Sequence, residues 1–299
     1  MKVSRLLRET AQRFARAGLH YGHGTHSAKE EAAWLIASVL GYLLEEEVSP
    51  KDLKQIHTLA RRRIHERIPL AYLLKEAWLG EHAFYIDQRA IVPRSFIAEL
   101  LRERLSPWLA REPKRALDLC TGSGCLAVLL ALTFRHTRVD AADLSSDALA
   151  VARRNVGRYK LKKRIKLVKS DLFSSLGNSK YDLIVSNPPY VTARSMRKLP
   201  KEYRHEPALA LAAGKDGLGL VRRILAGAKD HLKPGGLLVC EIGGNRKALE
   251  RACPKLEFAW PETSEGAGCV FILEREQLPP AARTASSTRI HPRPAQARR

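Results

Sequence analysis

From residue 114 onward, strand-like and helix-like patterns alternate with short connections, and that alternation constrains the fold more than any other feature of the chain. Residues 115–120 read as a strand, 125–134 as a helix, 137–142 as a strand, 147–159 as a helix and 165–168 as a strand. A fourth apolar run, Leu183-Ile184-Val185, precedes a long loop, a helix over 218–231, a Lys233-Pro234-Gly235-Gly236 turn and a strand over 237–242. Two late runs, 256–260 and 269–273, fit a terminal hairpin. Strands separated by helices of this length demand a mostly parallel sheet covered on both faces. The count predicts an α/β fold with seven strands.

Such sheets keep ligands at the carboxyl ends of their strands, and two corners there carry chemistry. Gly122-Ser123-Gly124-Cys125-Leu126-Ala127 fits G-x-G-x-x-G/A between a strand and a helix, and Asp143 follows Gly122 by twenty-one residues. Glycines there allow close backbone approach to a nucleotide, and the acid can grip ribose hydroxyls. That much also fits an NAD enzyme. Asp118, four residues before Gly122, is placed to order the glycine loop near an amino-acid moiety, and Asp171, after the third strand, to meet an adenine amino group.

The second corner is Ser186-Asn187-Pro188-Pro189-Tyr190. Two prolines cannot donate to a sheet ladder, and the first holds Asn187 extended at the end of its strand. The Asn187 side-chain oxygen and the Pro188 carbonyl then form a rigid pair of acceptors suited to both hydrogens of a planar NH2 group, with Tyr190 covering its face. A half-buried Pro-rich turn is the plain alternative. A dehydrogenase has no use for the acceptor pair, whereas an enzyme methylating an amino or amide nitrogen does.

Ahead of this unit, residues 1–83 read as a helical substrate-docking domain and 84–113 as a hairpin and linker helix; the methyltransferase-like unit spans 114–278 and a disordered basic tail 279–299. Leu6, Leu7, Ala11, Phe14 and Ala15 recur at helical spacing. Ser27 and Glu30 form a capping box for a helix ending near Gly41, and Ser49-Pro50-Lys51-Asp52 starts a third. Its basic end, Arg61-Arg62-Arg63, offers phosphate contacts or merely a solvated helix end. Strand-like runs at 84–87 and 90–93 read as the hairpin, and Pro93-Arg94-Ser95 leads into a helix carrying Ile97, Leu100, Leu101 and Leu105.

A formal charge of +21 over 299 residues implies an anionic partner, most often nucleic acid. Five cysteines without C-x-x-C or His spacing read as reduced thiols, with no metal site. No apolar run is long enough for a membrane span, so a soluble, cytoplasmic protein is expected.

The set Asp118-Leu119-Cys120-Thr121-Gly122-Ser123-Gly124, Asp143, Ser170-Asp171-Leu172-Phe173 and Asn187-Pro188-Pro189-Tyr190 resembles the class I methyltransferases that modify glutamine amides in proteins. Gly22-His23-Gly24-Thr25, 66–72, Val92-Pro93-Arg94-Ser95 and Glu202-Tyr203-Arg204-His205-Glu206-Pro207 are similar to the branch acting on large-subunit ribosomal protein L-three, more than to the release-factor branch. The likeness runs over about 1–278; Phe96 stands where a proline is expected, and Gly243-Gly244 carries an extra small residue.

The resemblance implies a Rossmann-like class I fold with S-adenosylmethionine as methyl donor. It implies cofactor contacts from Asp118, Thr121, Gly122, Gly124, Asp143, Leu144, Asp171, Leu172 and Asn187. Catalysis falls to Asn187, Pro188, Pro189 and Tyr190, and substrate contacts to Asn187, Pro188, Tyr190, Arg204 and His205. His205 is a candidate general base, although a loop histidine between Arg204 and Glu206 more simply binds substrate or holds the loop. Ribosomal protein L-three is the implied partner, with ribosomal RNA bridging two basic proteins. An RNA or DNA amino-methyltransferase with the same corner, and a non-catalytic RNA-binding factor, remain open on sequence alone.

Overall fold

The computed structural model describes residues 1–41, 47–264 and 266–280. The basic tail expected over 279–299 therefore lies, from 281 on, outside the described residues. Helices α1 (Val3–Arg16), α2 (Ala28–Leu40), α3 (Pro50–Glu66) and α4 (Leu70–Leu74) come first. Leu6, Phe14, Ala32, Leu35, Ile36, Ile56 and Leu70 bury their side chains in one cluster among them. Ser27 caps α2 by accepting from the Glu30 N–H, and the Glu30 carboxylate accepts the His26 N–H at 2.9 Å and the Ser27 hydroxyl at 3.2 Å in place of the Ser27 N–H. Gly41 ends α2 at φ 75°, and Ser49 caps α3 through the Asp52 N–H.

The hairpin sits one segment earlier than expected. Strand β1 (Glu76–Leu79) pairs antiparallel with β2 (His82–Tyr85), and Leu79 faces His82 across a two-residue turn in which Gly80 has φ 60°. That positive φ is what a tight hairpin turn requires. Residues 90–93 form no strand; they lead without regular structure toward α5 (Ile97–Arg102).

Next come β3 (Arg115–Leu119), α6 (Cys125–Thr133), β4 (Arg138–Asp143), α7 (Ser146–Arg158), β5 (Ile165–Lys169) and β6 (Tyr181–Ser186). They are followed by α8 (Ala193–Met196), α9 (Gly219–His231), β7 (Leu232–Glu241), α10 (Arg246–Ala252) and β8 (Val270–Glu274). The sheet has the order β5-β4-β3-β6-β7-β8 and is parallel except for β8. Among the described residues it has six strands, not seven. The expected strand over 256–260 contributes a single bridge, Ala259 to Ile272, on the outer edge of β8, and Pro261 beyond it has no N–H to extend the pairing. The Lys233-Pro234-Gly235-Gly236 turn is absorbed into β7, where the register against β6 shifts between Tyr181 and Leu183.

Apolar side chains fill both faces. Leu117, Leu119, Ile184, Leu238 and Cys240 pack under α9, and Ala116, Leu183, Val185 and Val239 pack with α6 and α5 on the other face. Seven consecutive residues of α6, from Cys125 to Ala131, are buried, as a helix apolar all round must be. The chain direction reverses between β3, which continues to β4 and β5, and β6, which continues to β7. That switch point is where an open α/β sheet leaves a crevice. Among the described residues no helix is long and apolar enough to cross a membrane.

Candidate active site

A cavity of about 740 Å³ opens over this switch point. It is lined by the glycine loop (Cys120, Thr121, Gly122, Ser123), by Asp143 and Leu144, by Asp171 and Leu172, and by Asn187-Pro188-Pro189-Tyr190. Pro93, Arg94 and Ser95 close one side, and Leu199, Tyr203 and residues 209–214 another. Leu144 and Leu209 are exposed at 50% and 58%, so apolar surface faces the opening.

Backbone conformation shapes the glycine corner. Cys120, Gly122 and Gly124 all have positive φ, 58°, 55° and 77°. A Cβ on Gly124 would lie 3.0 Å from the Ala152 Cβ of α7, so this glycine lets α7 pack against the loop. Asp118 does not line the cavity. It is fully buried beneath the loop, where Oδ2 accepts from the Thr121 hydroxyl at 2.5 Å and the Ala127 N–H at 3.0 Å. Its Oδ1 has no partner, and burial lifts the carboxyl to about 7. Asp143 accepts from the Gly122 N–H through Oδ2 and the Ser145 N–H through Oδ1, each at 2.8 Å. Burial raises its pKa as well. The acid expected for ribose thus also ties the loop to the end of β4. Asp171 is half exposed and paired with Arg223 of α9 at 2.9 Å.

The acceptor corner is held with equal care. Asn187 Nδ2 donates to the Arg94 carbonyl at 3.2 Å. A carbonyl only accepts, so this bond dictates which way the amide faces and leaves Oδ1 for the cavity. The Tyr190 hydroxyl donates to Glu241 at 3.3 Å, and the Tyr190 carbonyl accepts from Asn245 Nδ2 at 3.0 Å. Gly243 and Gly217 admit this residue. A Cβ on Gly243 would come within 2.7 Å of the Tyr190 ring, and one on Gly217 within 2.5 Å of its carbonyl oxygen.

Other expected site residues lie elsewhere. Arg204 and His205 do not line the cavity. The ring nitrogens of His205 meet the Glu66 carbonyl at 2.9 Å and Gln88 at 3.4 Å, so this residue fastens its loop to α3. Arg63, expected as a phosphate contact or as part of a solvated helix end, is 1% exposed. Its guanidinium donates to Glu31, to Glu202 and to the His20 carbonyl. A lone basic triplet carries no hint that its third member turns inward.

Four residues that anchor the site escaped the sequence reading of roles. Glu206 binds Arg94 through two 2.7 Å bonds, which pull its carboxyl down to about 2 against the effect of burial. Glu241 sits under Tyr190 and Ser95. The signal was present there, since Glu241 is the only charge in the apolar run 237–242. Arg94 contributes through its backbone carbonyl, which sequence does not reveal. Asn155 of α7 joins the Ser123 carbonyl to Tyr85 of the hairpin.

The residues present fit S-adenosylmethionine. Positive-φ glycines permit close approach, Asp143 in the cavity lining offers a carboxyl to ribose hydroxyls, and Leu144 and Leu172 offer apolar surface for a base.

Residues 97–202 match the family "Methyltransferase small domain". Among solved structures, the hMettl16 catalytic domain in complex with the MAT2A 3'UTR hairpin 1 superposes with a TM-score of 0.52 at 17% identity, covering 84% of this chain and 94% of that one. This is a likeness of fold. Curated relatives are far closer in sequence. The ribosomal protein uL3 glutamine methyltransferase of Neisseria meningitidis serogroup A is 50% identical over 91% of this chain and 93% of its own. Those of Bordetella pertussis and Burkholderia pseudomallei are 50% and 45% identical, over 91% and 94% of this chain and 95% and 96% of theirs. With half of its residues shared across nearly its whole length, and with the glycine loop and the Asn-Pro-Pro-Tyr corner meeting in one cavity, the chain belongs to the ribosomal protein uL3 glutamine methyltransferase family.

Proposed function

We propose that the chain transfers a methyl group from S-adenosylmethionine to the side-chain amide nitrogen of a glutamine in ribosomal protein uL3, with Asn187 and Pro188 as the acceptors that hold that nitrogen. The observation carrying this reading is the bond from Asn187 Nδ2 to the Arg94 carbonyl, which turns Oδ1 toward the cavity.

An amide nitrogen is a poor nucleophile because its lone pair is delocalised into the carbonyl, so the enzyme's task is geometric. The donor supplies an electrophilic methyl on a sulfonium. Asn187 Oδ1 and the Pro188 carbonyl each take one N–H of the incoming carboxamide, which fixes the nitrogen and directs its lone pair. Orientation of this kind is worth about 7–11 kcal/mol of barrier, and both acceptors favour the positive charge that grows on nitrogen. Tyr190 covers the planar group, and Pro189 keeps the turn stiff. Among the described residues lining the cavity there is no histidine or glutamate. None is needed at the nitrogen, which becomes strongly acidic once alkylated and releases its proton afterwards.

Asp143, Leu144, Asp171, Leu172 and the glycine loop are assigned to the donor, Thr121 and Asp118 shaping that loop. The helices before β1 and the loop around Tyr203 are assigned to substrate docking.

Ribosomal RNA is assigned as a bridge between two basic proteins. Between 148 and 170 the chain has nine Lys or Arg and no acid. Of these, Arg153, Lys160, Lys162, Lys163, Lys166 and Lys169 are exposed along α7, the turn after it and the edge strand β5, without an ion pair to any described acid. Action in the cytoplasm, where ribosomal proteins are made, follows from that substrate. Activity on free uL3 that ignores added RNA and rises with salt would count against the bridge.

The test of the central reading is Asn187→Ala. Methyl transfer to uL3 is expected to vanish while S-adenosylhomocysteine still binds by calorimetry; full activity in that variant refutes the assignment.

A further inference from the structure

Residues 92–96 run between two buried carboxylates that the mechanism above does not use. On one flank Glu206, with its side chain 0% exposed, accepts the Val92 N–H at 3.0 Å and both ends of the Arg94 guanidinium at 2.7 Å. His23 Nε2 stands 3.6 Å from Oε2, the carboxylate oxygen that also takes one end of Arg94. On the other flank one oxygen of Glu241 accepts the Ser95 hydroxyl at 2.6 Å and the Phe96 N–H at 2.9 Å, and its second oxygen takes the Tyr190 hydroxyl. Between the two flanks lies the Arg94 carbonyl, which receives Asn187 Nδ2. Neither carboxylate lines the cavity.

Burying a carboxylate is costly unless its lone pairs are filled, and both acids fill theirs largely from the same five residues. They also come from different places. Glu206 belongs to the loop after β6, which Glu202 ties to the N-terminal helices through Arg63 and Arg67. Glu241 ends β7, buried in the sheet between β6 and β8. A carbonyl that decides which end of the Asn187 amide faces the cavity is therefore fixed from two independent directions.

We propose that Glu206 and Glu241 are positioning residues that clamp the 92–96 segment and so set the orientation of Asn187; this rests on Asn187 being the acceptor for the substrate amide. With the Arg94 carbonyl displaced, the Asn187 amide is free to rotate and present NH2 to the substrate's NH2, donor against donor. A misplacement of about 1 Å in such a group costs on the order of 10²-fold in rate.

The test uses the full chain with uL3 as substrate. Glu206→Asp keeps the charge but shortens the reach to Arg94; Glu241→Ala removes the other flank, and Glu241→Gln restores one acceptor oxygen. The expected result is a kcat lowered at least about tenfold in the first two, while the KM for the donor and the Kd for S-adenosylhomocysteine stay within about twofold of the parent. Glu241→Gln is expected to recover most of the loss. Parent kcat in both Glu206→Asp and Glu241→Ala overturns the clamp, and so does a loss of kcat matched by an equal loss of S-adenosylhomocysteine binding, which marks simple structural staples. Should Glu241→Ala not fold, Glu206→Asp decides alone. An inactive Asn187→Ala beside fully active clamp variants sinks the clamp only, whereas an active Asn187→Ala removes the reading beneath it and the clamp as well.

Discussion

Arg63 offers the sharpest test of how the N-terminal helices are joined to the rest of the chain. Its side chain is 1% exposed and makes four contacts: Nε to both Glu31 oxygens at 3.1 and 3.2 Å, one terminal nitrogen to Glu202 at 3.3 Å, and the other to the His20 carbonyl at 2.9 Å. Glu202 retains Arg67 and the His20 N–H if Arg63 is lost, but Glu31 retains nothing comparable. Burial already pushes the Glu31 carboxyl up against the pull of Arg63. Arg63→Ala therefore leaves a buried acid unpaired, at a cost of about 3–5 kcal/mol. At roughly 2–4 °C per kcal/mol for a chain approaching this size, the melting temperature should drop by about 6–20 °C. Scanning calorimetry near pH 7 reads this directly. Arg63→Met combined with Glu31→Leu should recover at least half of the loss, because replacing both partners with apolar groups removes the unpaired charge. If Arg63→Ala melts within about 2 °C of the parent while weakening RNA binding, Arg63 is a surface phosphate contact and the reasoning fails.

Burial lifts the Asp118 carboxyl from 3.8 to about 7, so the folded chain holds a proton that the unfolded chain gives up above about pH 4. Stability from this group is then lost as pH rises toward 7, and Asp118→Asn should gain on the parent by at most about 4 kcal/mol between pH 4 and pH 8; an offset that does not change with pH contradicts this. Gly243→Ala drives a Cβ into the Tyr190 ring at a position with φ 53°. It should cost about 1–3 kcal/mol and lower methyl transfer at least tenfold, measured by melting and kcat, and a fully active variant would show that Tyr190 has slack. His205→Ala should leave the pH profile of kcat unchanged, since the ring is spent on the Glu66 carbonyl outside the cavity; a general-base role would instead lower kcat by about 10²–10⁴-fold.

The strand and helix periods announced the sheet because buried parallel strands are continuous apolar runs and the covering helices are bounded by caps and glycines. What the periods overstated was the edge: Phe258 and Trp260 pack against Phe271 as side chains, yet their backbone makes only one bridge with β8. The hairpin was displaced because 90–93 shares the apolar character of a strand, while the true turn hung on a single glycine at 80. In the site, the glycine loop and the Asn-Pro-Pro-Tyr corner were legible because they are continuous in sequence, with side chains whose chemistry is plain. The supporting contacts were not. They join residues more than a hundred positions apart, as Arg94 and Glu206 do, or act through a backbone carbonyl, as Arg94 does on Asn187. Arg204 and His205 drew notice by their chemistry, whereas their neighbours Glu202 and Glu206 turn inward and hold the loop.

The most direct measurement is a crystal structure of the chain with S-adenosylhomocysteine and a uL3 segment containing the target glutamine. The account predicts the glutamine amide nitrogen within about 3 Å of both Asn187 Oδ1 and the Pro188 carbonyl oxygen, with the sulfur of the ligand on the opposite side of that nitrogen. A glutamine carbonyl turned to Asn187 in place of the nitrogen, or a sulfur facing away from the Asn-Pro-Pro-Tyr corner, would contradict it.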